Sequence, residues 1–307
     1  MTGSVTTSAK PDGKERSGRL RWRLVGASAI IGPVLALLWL DGTVPGGRPG
    51  IWLLPLAALL VAAGVGELHV LVQFSLPVRQ GPWITILLAE LALLVSVAPI
   101  FVRPGIAPNL ESWCYVGLAL TLVLMLRMLI AMAAFQKPSG HTLEIALSLF
   151  QIVYVVLPLV FLFHLRLEWS DTRGLWALAS IPWVVKISDS GAYFAGRYLG
   201  RHSMAPLLSP KKTWEGAVGG LVAAVAATGL FFLVEPHANT PSLVAQAPWW
   251  MAVPLGLSLG VAGMLGDLSE SLLKRDLHRK DSAAWIPGLG GTLDVLDSVF
   301  WAAPVGY

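Results

Sequence analysis

Four short stretches of an otherwise apolar chain carry residues suited to chemistry. "GDLSESLLK" (266–274) sets Asp267, Glu270, Ser271 and Lys274 at i, i+3, i+4 and i+7, which is one face of a helix. "LDVLDS" (293–298) repeats the three-residue spacing with Asp294 and Asp297. In "VVKISDSGAY" (184–193), Lys186, Asp189 and Tyr193 also share one helical face. "SPKKTWEG" (209–216) opens with a Ser-Pro turn and puts Lys211, Lys212 and Thr213 just before a helix start. Two ammonium groups, a hydroxyl and exposed N–H groups at such a start suit phosphate.

On antiparallel segments, Asp267 and Asp294 approach each other, and paired carboxylates repel unless a cation joins them. Hard oxygen ligands with few histidines favour Mg²⁺ over zinc. Basic residues around the acids suit phosphate groups as further ligands, a combination fitted to phosphoryl or nucleotidyl transfer. Blander readings stand beside these. Lys186 and Asp189 are also a self-neutralising pair, and Lys211 and Lys212 suit anchorage beside anionic headgroups. The face from Asp267 to Lys274 also fits a solvated helix end. The chain has no P-loop, no Ser–His–Asp pattern and no paired Cys or His metal spacing, and His202 and His278 stand apart as surface residues.

The elements that must position these groups are membrane helices. Of 307 residues, 55% are hydrophobic and only 13% charged, and the mean hydropathy is +0.68. Soluble domains carry about a quarter charged residues. Apolar runs of about 20 residues recur, each long enough for a hydrocarbon core roughly 30 Å thick. The ten-residue alternation of a β-barrel is absent. The expected fold is all-α and polytopic, with about nine spans near 24–41, 51–74, 83–101, 112–134, 143–164, 174–194, 215–234, 249–270 and 290–306. Residues 1–23 read as a disordered cytoplasmic tail, 24–170 as a transmembrane scaffold of about five spans, and 171–307 as the catalytic region. The lone cysteine, Cys114, excludes an intramolecular disulfide and reads as a small packing residue.

Basic residues set the orientation. With a cytoplasmic N-terminus and nine spans, sixteen Lys and Arg residues fall on the cytoplasmic side and four (Arg48, Arg103, Arg166 and Arg173) opposite, leaving Arg127 and Lys186 inside spans. Both polar motif regions, roughly 186–216 and 266–298, then face the cytoplasm. In the first half, Glu67, His69, Glu90 and Arg127 are the main ionisable residues at depth. The net charge of +4 follows this asymmetry and does not call for nucleic acid.

Three blocks in order resemble the phosphatidate cytidylyltransferase (CDP-diacylglycerol synthase) family: "DSGAYFAGRYLG" (189–200), "SPKKTWEGAVGG" (209–220) and "GDLSESLLKRDLHRKDSAAWIPGLGGTLDVLDS" (266–298). The last is similar to a signature in which S-x-x-K-R is followed by K-D-S, P-G-H-G-G and L-D-R-x-D-S. The resemblance implies the conversion of CTP and phosphatidic acid into CDP-diacylglycerol and pyrophosphate, at a bacterial inner membrane with the active site facing the cytoplasm. It implies that Asp267 and Asp294 hold Mg²⁺, with room for a second cation, and that Lys211, Lys212, Lys274 and Arg275 contact phosphate. Asp189, Ser209, Lys280, Asp281 and Asp297 would line or brace the pocket, with Thr213 and Ser271 alongside. Lys212 and Lys274 join the two metal carboxylates as the expected catalytic set.

Two positions depart from the signature: Leu289 stands in place of histidine and Val295 in place of arginine. They leave open a different lipid phosphate or a polyprenol as substrate, or a catalytically degenerate copy. A transporter predicts charges distributed through both halves and an internal repeat; ionisable residues at depth are few in the first half, and no repeat is seen. A noncatalytic scaffold predicts that Asp267 and Asp294 tolerate Asn. The expected assembly is a homodimer. Small-residue pairs such as Gly216/Gly220 and Gly256/Gly260 would pack helices within one chain or between two.

Overall fold

A computed structural model describes residues 32–43, 48–76, 78, 81–98, 110–137, 140–168, 172–234, 248–279 and 290–307. The expected tail, Lys280, Asp281 and Leu289 lie outside the described residues. Nine α-helices occur among those described: α1 (32–43), α2 (Leu54–Ser75), α3 (Pro82–Ser96), α4 (Leu110–Ala133), α5 (His141–Leu167), α6 (Thr172–Leu199), α7 (Trp214–Val234), α8 (Ala252–Asp276) and α9 (Thr292–Gly306). Each overlaps one of the nine apolar segments. Five helical stretches are long and apolar enough to cross a membrane: Ile51–Ser75, Ser112–Ala133, His141–Leu167, Trp214–Val234 and Trp249–Asp276. Leu59, Leu87, Met125, Val222 and Leu233 stand exposed on their outer faces, as lipid-facing side chains do. The protein is an all-α integral membrane protein.

Between α6 and α7 the chain makes a small antiparallel hairpin, β1 (Ser203–Ala205) and β2 (Ser209–Thr213), with Ser203 opposite Thr213 and Ala205 opposite Ser209. Here the turn expectation fails: Ser209-Pro210 begins a strand, and the turn is 206–208. In a two-stranded ribbon both strands are edges, so the missing N–H of proline costs no ladder bond. Cys114 is likewise exposed on α4 and not a packing residue.

Two apolar cores form. One gathers Val61, Val65 and Leu68 of α2, Leu93 of α3, Val123 of α4 and Ile152 and Val155 of α5, together with Leu293 and Phe300 of α9. The other gathers Val184 and Val185 of α6, Ala224 of α7 and Leu259 of α8, together with Val299 and Ala302 of α9. Thus α9 contributes to both, and its position decides how they sit together.

Glycines set the helix spacing in the second core. A Cβ on Gly191 would run into Ala223, and one on Gly219 into Ala195, so α6 and α7 meet nearly backbone to backbone. Gly216 and Gly220 face Ala192 and Ser188 of α6, and Gly256 and Gly260 face α7. These small-residue pairs therefore pack helices within the chain. At the α8–α9 crossing, a Cβ on Gly266 would strike the carbonyl oxygen of Asp297. That contact sets Asp267 beside the acidic turn of α9.

The helix ends fall into two groups. The end of α2 meets the end of α8, where Ser75 Oγ donates to Leu277 O at 2.7 Å and Arg279 lies over the Phe74 ring at 4.0 Å. At the opposite end, Trp113 of α4 contacts Phe161 and His164 of α5 and Tyr307. There Arg166 pairs with Asp41 at 2.7 Å, both side chains almost fully buried.

Since overpacking costs about 1–3 kcal/mol, Gly266→Ala is expected to lower the thermal midpoint of the detergent-solubilised protein by several degrees. Gly229→Ala, with nothing near its Cβ, is the control and should not lower it; equal midpoints would dismiss the close crossing.

Candidate functional site

The site lies where the end of α6, the hairpin, the start of α7, the end of α8 and the start of α9 converge. Its acids come from three helices. On α8, the i, i+3, i+7 spacing turns Asp267, Glu270 and Lys274 to one side, as expected. On α9, Asp294 and Asp297 occupy the first two turns. Asp189 reaches in from α6.

Asp267, Glu270 and Asp297 each present a carboxylate oxygen within 4.8 Å of the other two. Glu270 and Asp297 are buried, and Asp267 is half-buried. Glu270 Oε1 is buried without a hydrogen-bond partner. Three oxygens so placed repel one another, and an unpaired buried acceptor is costly. Both features fit a hard divalent cation, for which oxygen ligands are the natural donors.

Asp294 stands apart from this trio. Its Oδ1 accepts from Lys274 Nζ at 2.6 Å, and its Oδ2 accepts from the N–H of Gly291 at 2.8 Å. That second bond caps α9, and it depends on Gly290, whose left-handed φ of 90° folds the chain back toward the carboxylate. Lys274 also pairs with Glu270 at 2.7 Å, so one ammonium links Asp294 to the trio.

The other ammonium groups reach in from different elements. Lys212, on β2, pairs with Asp267 at 2.6 Å, joining the second sequence block to the third. Lys186 Nζ lies 2.9 Å from Ser298 Oγ, 3.4 Å from Asp189 Oδ2 and 3.9 Å from Asp297 Oδ1. Ser298 Oγ in turn donates to Asp189 Oδ2 at 3.2 Å. The Lys186–Asp189 pair read from the sequence is present, but two α9 residues extend it.

Beside the acids lies a cleft of about 410 Å³ lined by Asp189, Tyr193, Arg197, Met204, Lys211, Lys212, Thr213, Met264 and Asp267 among others. Tyr193 accepts from Arg197 at 2.9 Å. Thr213 Oγ1 accepts from the N–H of Gly216 at 3.1 Å and so caps α7. Glu215 folds back onto the N–H groups of Arg201 and His202 and pairs with the exposed His202 ring at 2.6 Å. These bonds fix the hairpin against the helix that follows. Arg275 is exposed and donates to Leu208 O at 3.4 Å, bracing the hairpin rather than facing the acids. Ser209 is half-buried in β2, and Ser271 is half-buried on α8 outside these pairs.

Five contributors were not among the expected site residues: Arg197 in the cleft wall, Ser298 between Lys186 and Asp189, and the three that follow. Glu270 lies on the predicted face of α8. Lys186 was visible as an ionisable residue within a span. Glu67, on α2, accepts from the N–H groups of Thr292 at 2.6 Å and Leu293 at 3.0 Å, so a carboxylate of the N-terminal helices holds the first turn of α9. Its signal was an acid inside an apolar run; its partner, some 225 residues away, had none.

Residues 21–307 match the model of the cytidylyltransferase family. The chain is similar to the phosphatidate cytidylyltransferase of Chlamydia pneumoniae, with 35% identity over 164 residues, 52% of either chain. It is similar to that of Haemophilus influenzae at 39% over 144 residues (46% of this chain, 49% of the relative). It is also similar to that of Brucella suis at 44% over 141 residues (46% and 49%). The chain spans about half the length of these curated relatives. The match to the family model takes in all nine described helices, α1 to α9, and all the residues of the site: the chain belongs to the cytidylyltransferase family.

Proposed function

We propose that this protein transfers the cytidylyl group of CTP to phosphatidic acid, giving CDP-diacylglycerol for phospholipid synthesis and releasing pyrophosphate. The observation that carries the reading is the Lys212–Asp267 pair. It brings the basic hairpin and the acidic helices together, so that cations for phosphate and oxygens for a metal border the same cleft. The relatives' names point the same way.

An oxygen of the lipid phosphate attacks the α-phosphorus of CTP. The bond to the bridging oxygen of the β-phosphate breaks, and pyrophosphate leaves with that electron pair. The nucleophile is already anionic at neutral pH, so no strong general base is needed. The chain's task is to hold two anions against their repulsion. Lys211, Lys212 and Arg197, which line the cleft, would neutralise phosphate oxygens, and Lys274 stands one ion pair further in. Asp189 and the first turns of α9 hold the polar wall in place.

The donor set fits Mg²⁺, which when bound supplies charge neutralisation at the triphosphate. Asp267 and Asp294 are the pair that the motifs put on the metal. The side chains gathered here are Asp267, Glu270 and Asp297, with Asp294 linked through Lys274. Val295 brings no charge to the site; a different lipid phosphate is therefore the second substrate to try.

The membrane arrangement belongs to the same proposal: nine crossings, a cytoplasmic N-terminus, and a site facing the cytoplasm at a bacterial inner membrane. The alternating grouping of helix ends supports it. A homodimer would have to use faces other than the glycine seams, which are filled within the chain.

Purified protein with CTP, Mg²⁺ and phosphatidic acid should release pyrophosphate and form CDP-diacylglycerol. Chelation of Mg²⁺ should stop this and re-addition restore it. Asp267→Asn should lower kcat on the order of 10³-fold. Mn²⁺ affinity measured in Asp294→Asn and Asp297→Asn will show which of the two holds the ion. A folded, CTP-binding protein that is inactive on phosphatidic acid but active on another lipid phosphate would replace the substrate. Failure to bind CTP would end the enzymatic reading.

Lys212→Met should raise KM for CTP about tenfold to a hundredfold, the worth of a charge-assisted contact, with a smaller change in kcat. An unchanged KM would remove Lys212 from the nucleotide.

A further inference from the structure

We propose that Lys186 is a positioning residue that supplies a fixed cation to the acidic cluster, in the place a second ion would otherwise occupy. The site then takes a single divalent ion. The inference rests on the reading that the cluster holds a metal.

A lysine that merely neutralised Asp189 would need only that i, i+3 neighbour. Lys186 instead gathers three oxygens from two helices: Ser298 Oγ at 2.9 Å, Asp189 Oδ2 at 3.4 Å and Asp297 Oδ1 at 3.9 Å. Ser298 accepts from the ammonium and passes a hydrogen bond on to Asp189. This is how a small cation would be bound, by oxygens on several sides. Lys186 also does not line the cleft, as Lys211, Lys212 and Arg197 do. Its charge is directed to the carboxylates and not to an incoming phosphate. Val295, one turn before Ser298 on α9, has no charge, so the cation on this face of α9 comes from α6.

The charge balance supports one ion. Among the described residues, the connected network holds five carboxylates (Asp189, Asp267, Glu270, Asp294 and Asp297) and three ammonium groups (Lys186, Lys212 and Lys274). Its formal charge is −2, which one divalent ion cancels. Glu67 is counted separately from this network: its carboxylate accepts from two α9 N–H groups. Without Lys186 the network stands at −3, one positive charge short once a single divalent ion is bound; a small monovalent cation would supply it, and where none is offered a second divalent ion takes the place. The Lys186 side chain keeps 43% of its exposure, so the place it vacates is not sealed over by protein.

The test uses the full chain in detergent, free of nucleotide, with N-methylglucamine as the only other cation. Bound Mn²⁺ is counted by electron paramagnetic resonance. Wild type is expected to bind one Mn²⁺ and Lys186→Met two. In the activity arm, wild type should be indifferent to exchanging N-methylglucamine for potassium or methylammonium. Lys186→Met should lose activity about a hundredfold through kcat and regain most of it when either small cation is added. Lys186→Arg, which keeps the charge, should bind one ion and stay active without rescue. Two Mn²⁺ in wild type would overturn the proposal whatever the variants do. So would a folded Lys186→Met with an unchanged count and no cation dependence. If Lys186→Met does not fold, Lys186→Gln carries the same comparison. If wild type makes no CDP-lipid, the catalytic reading falls, and the Mn²⁺ counts of wild type and variant alone decide this one.

Discussion

Carboxylates can stand at the ends of apolar helices only where something answers their charge, and the structure around this site follows from that constraint. Each of the five acids has an ammonium group within ion-pair distance, though three ammonium groups among five carboxylates leave two negative charges over. Lys212 holds Asp267, Lys274 bridges Glu270 and Asp294, and Lys186 gathers Asp189 and Asp297. Ion pairs away from water repay their desolvation only when geometry and hydrogen bonding are good. The cations therefore come from separate elements, each held firmly: a helix interior for Lys186, a helix end for Lys274 and a hairpin for Lys212. The hairpin is held at both flanks, by Glu215 on one side and Arg275 on the other.

Bringing three acidic helix segments this close also requires the backbones to approach. Glycine provides this along α6 and α7 and at the α8–α9 crossing. Helix α9 has the most demanding position, since its side chains belong to both apolar cores. Its first turn is held from both directions, by its own Asp294 and by Glu67 of α2. The N-terminal helices are thus more than a lipid-facing wall, because one of their carboxylates sets the register of the acidic helix.

Much of this was legible in the sequence because periodicity is a local property. The nine apolar segments correspond to the nine described helices, and the spacing from Asp267 to Lys274 gave the correct face of α8. What was not legible depends on partners distant in sequence or on the direction of one side chain. Spacing puts Asp294 and Asp297 on one face of α9, but not which of them turns back to cap the helix. That depends on the left-handed Gly290. Glu67 was visible only as an oddity in an apolar run. The hairpin was hidden because Ser-Pro is a turn signal, and here the same two residues open a strand. The small-residue pairs left two readings open, and only the neighbours of each glycine decide between them.

The contact between Lys212 and Asp267 has a thermodynamic consequence. If the acids hold the proposed metal ion, it would compete with the ammonium for the same carboxylate, and neither would be fully accommodated while the other held it. An anion that draws Lys212 toward itself leaves Asp267 with its charge uncompensated and raises the affinity of that carboxylate for a cation. Linkage makes the effect reciprocal: a cation on Asp267 releases Lys212 and strengthens the hold on the anion. One ion pair in the wall of the cleft would thereby couple the two, so that a polyanion and its counter-ion would bind more tightly together than either alone.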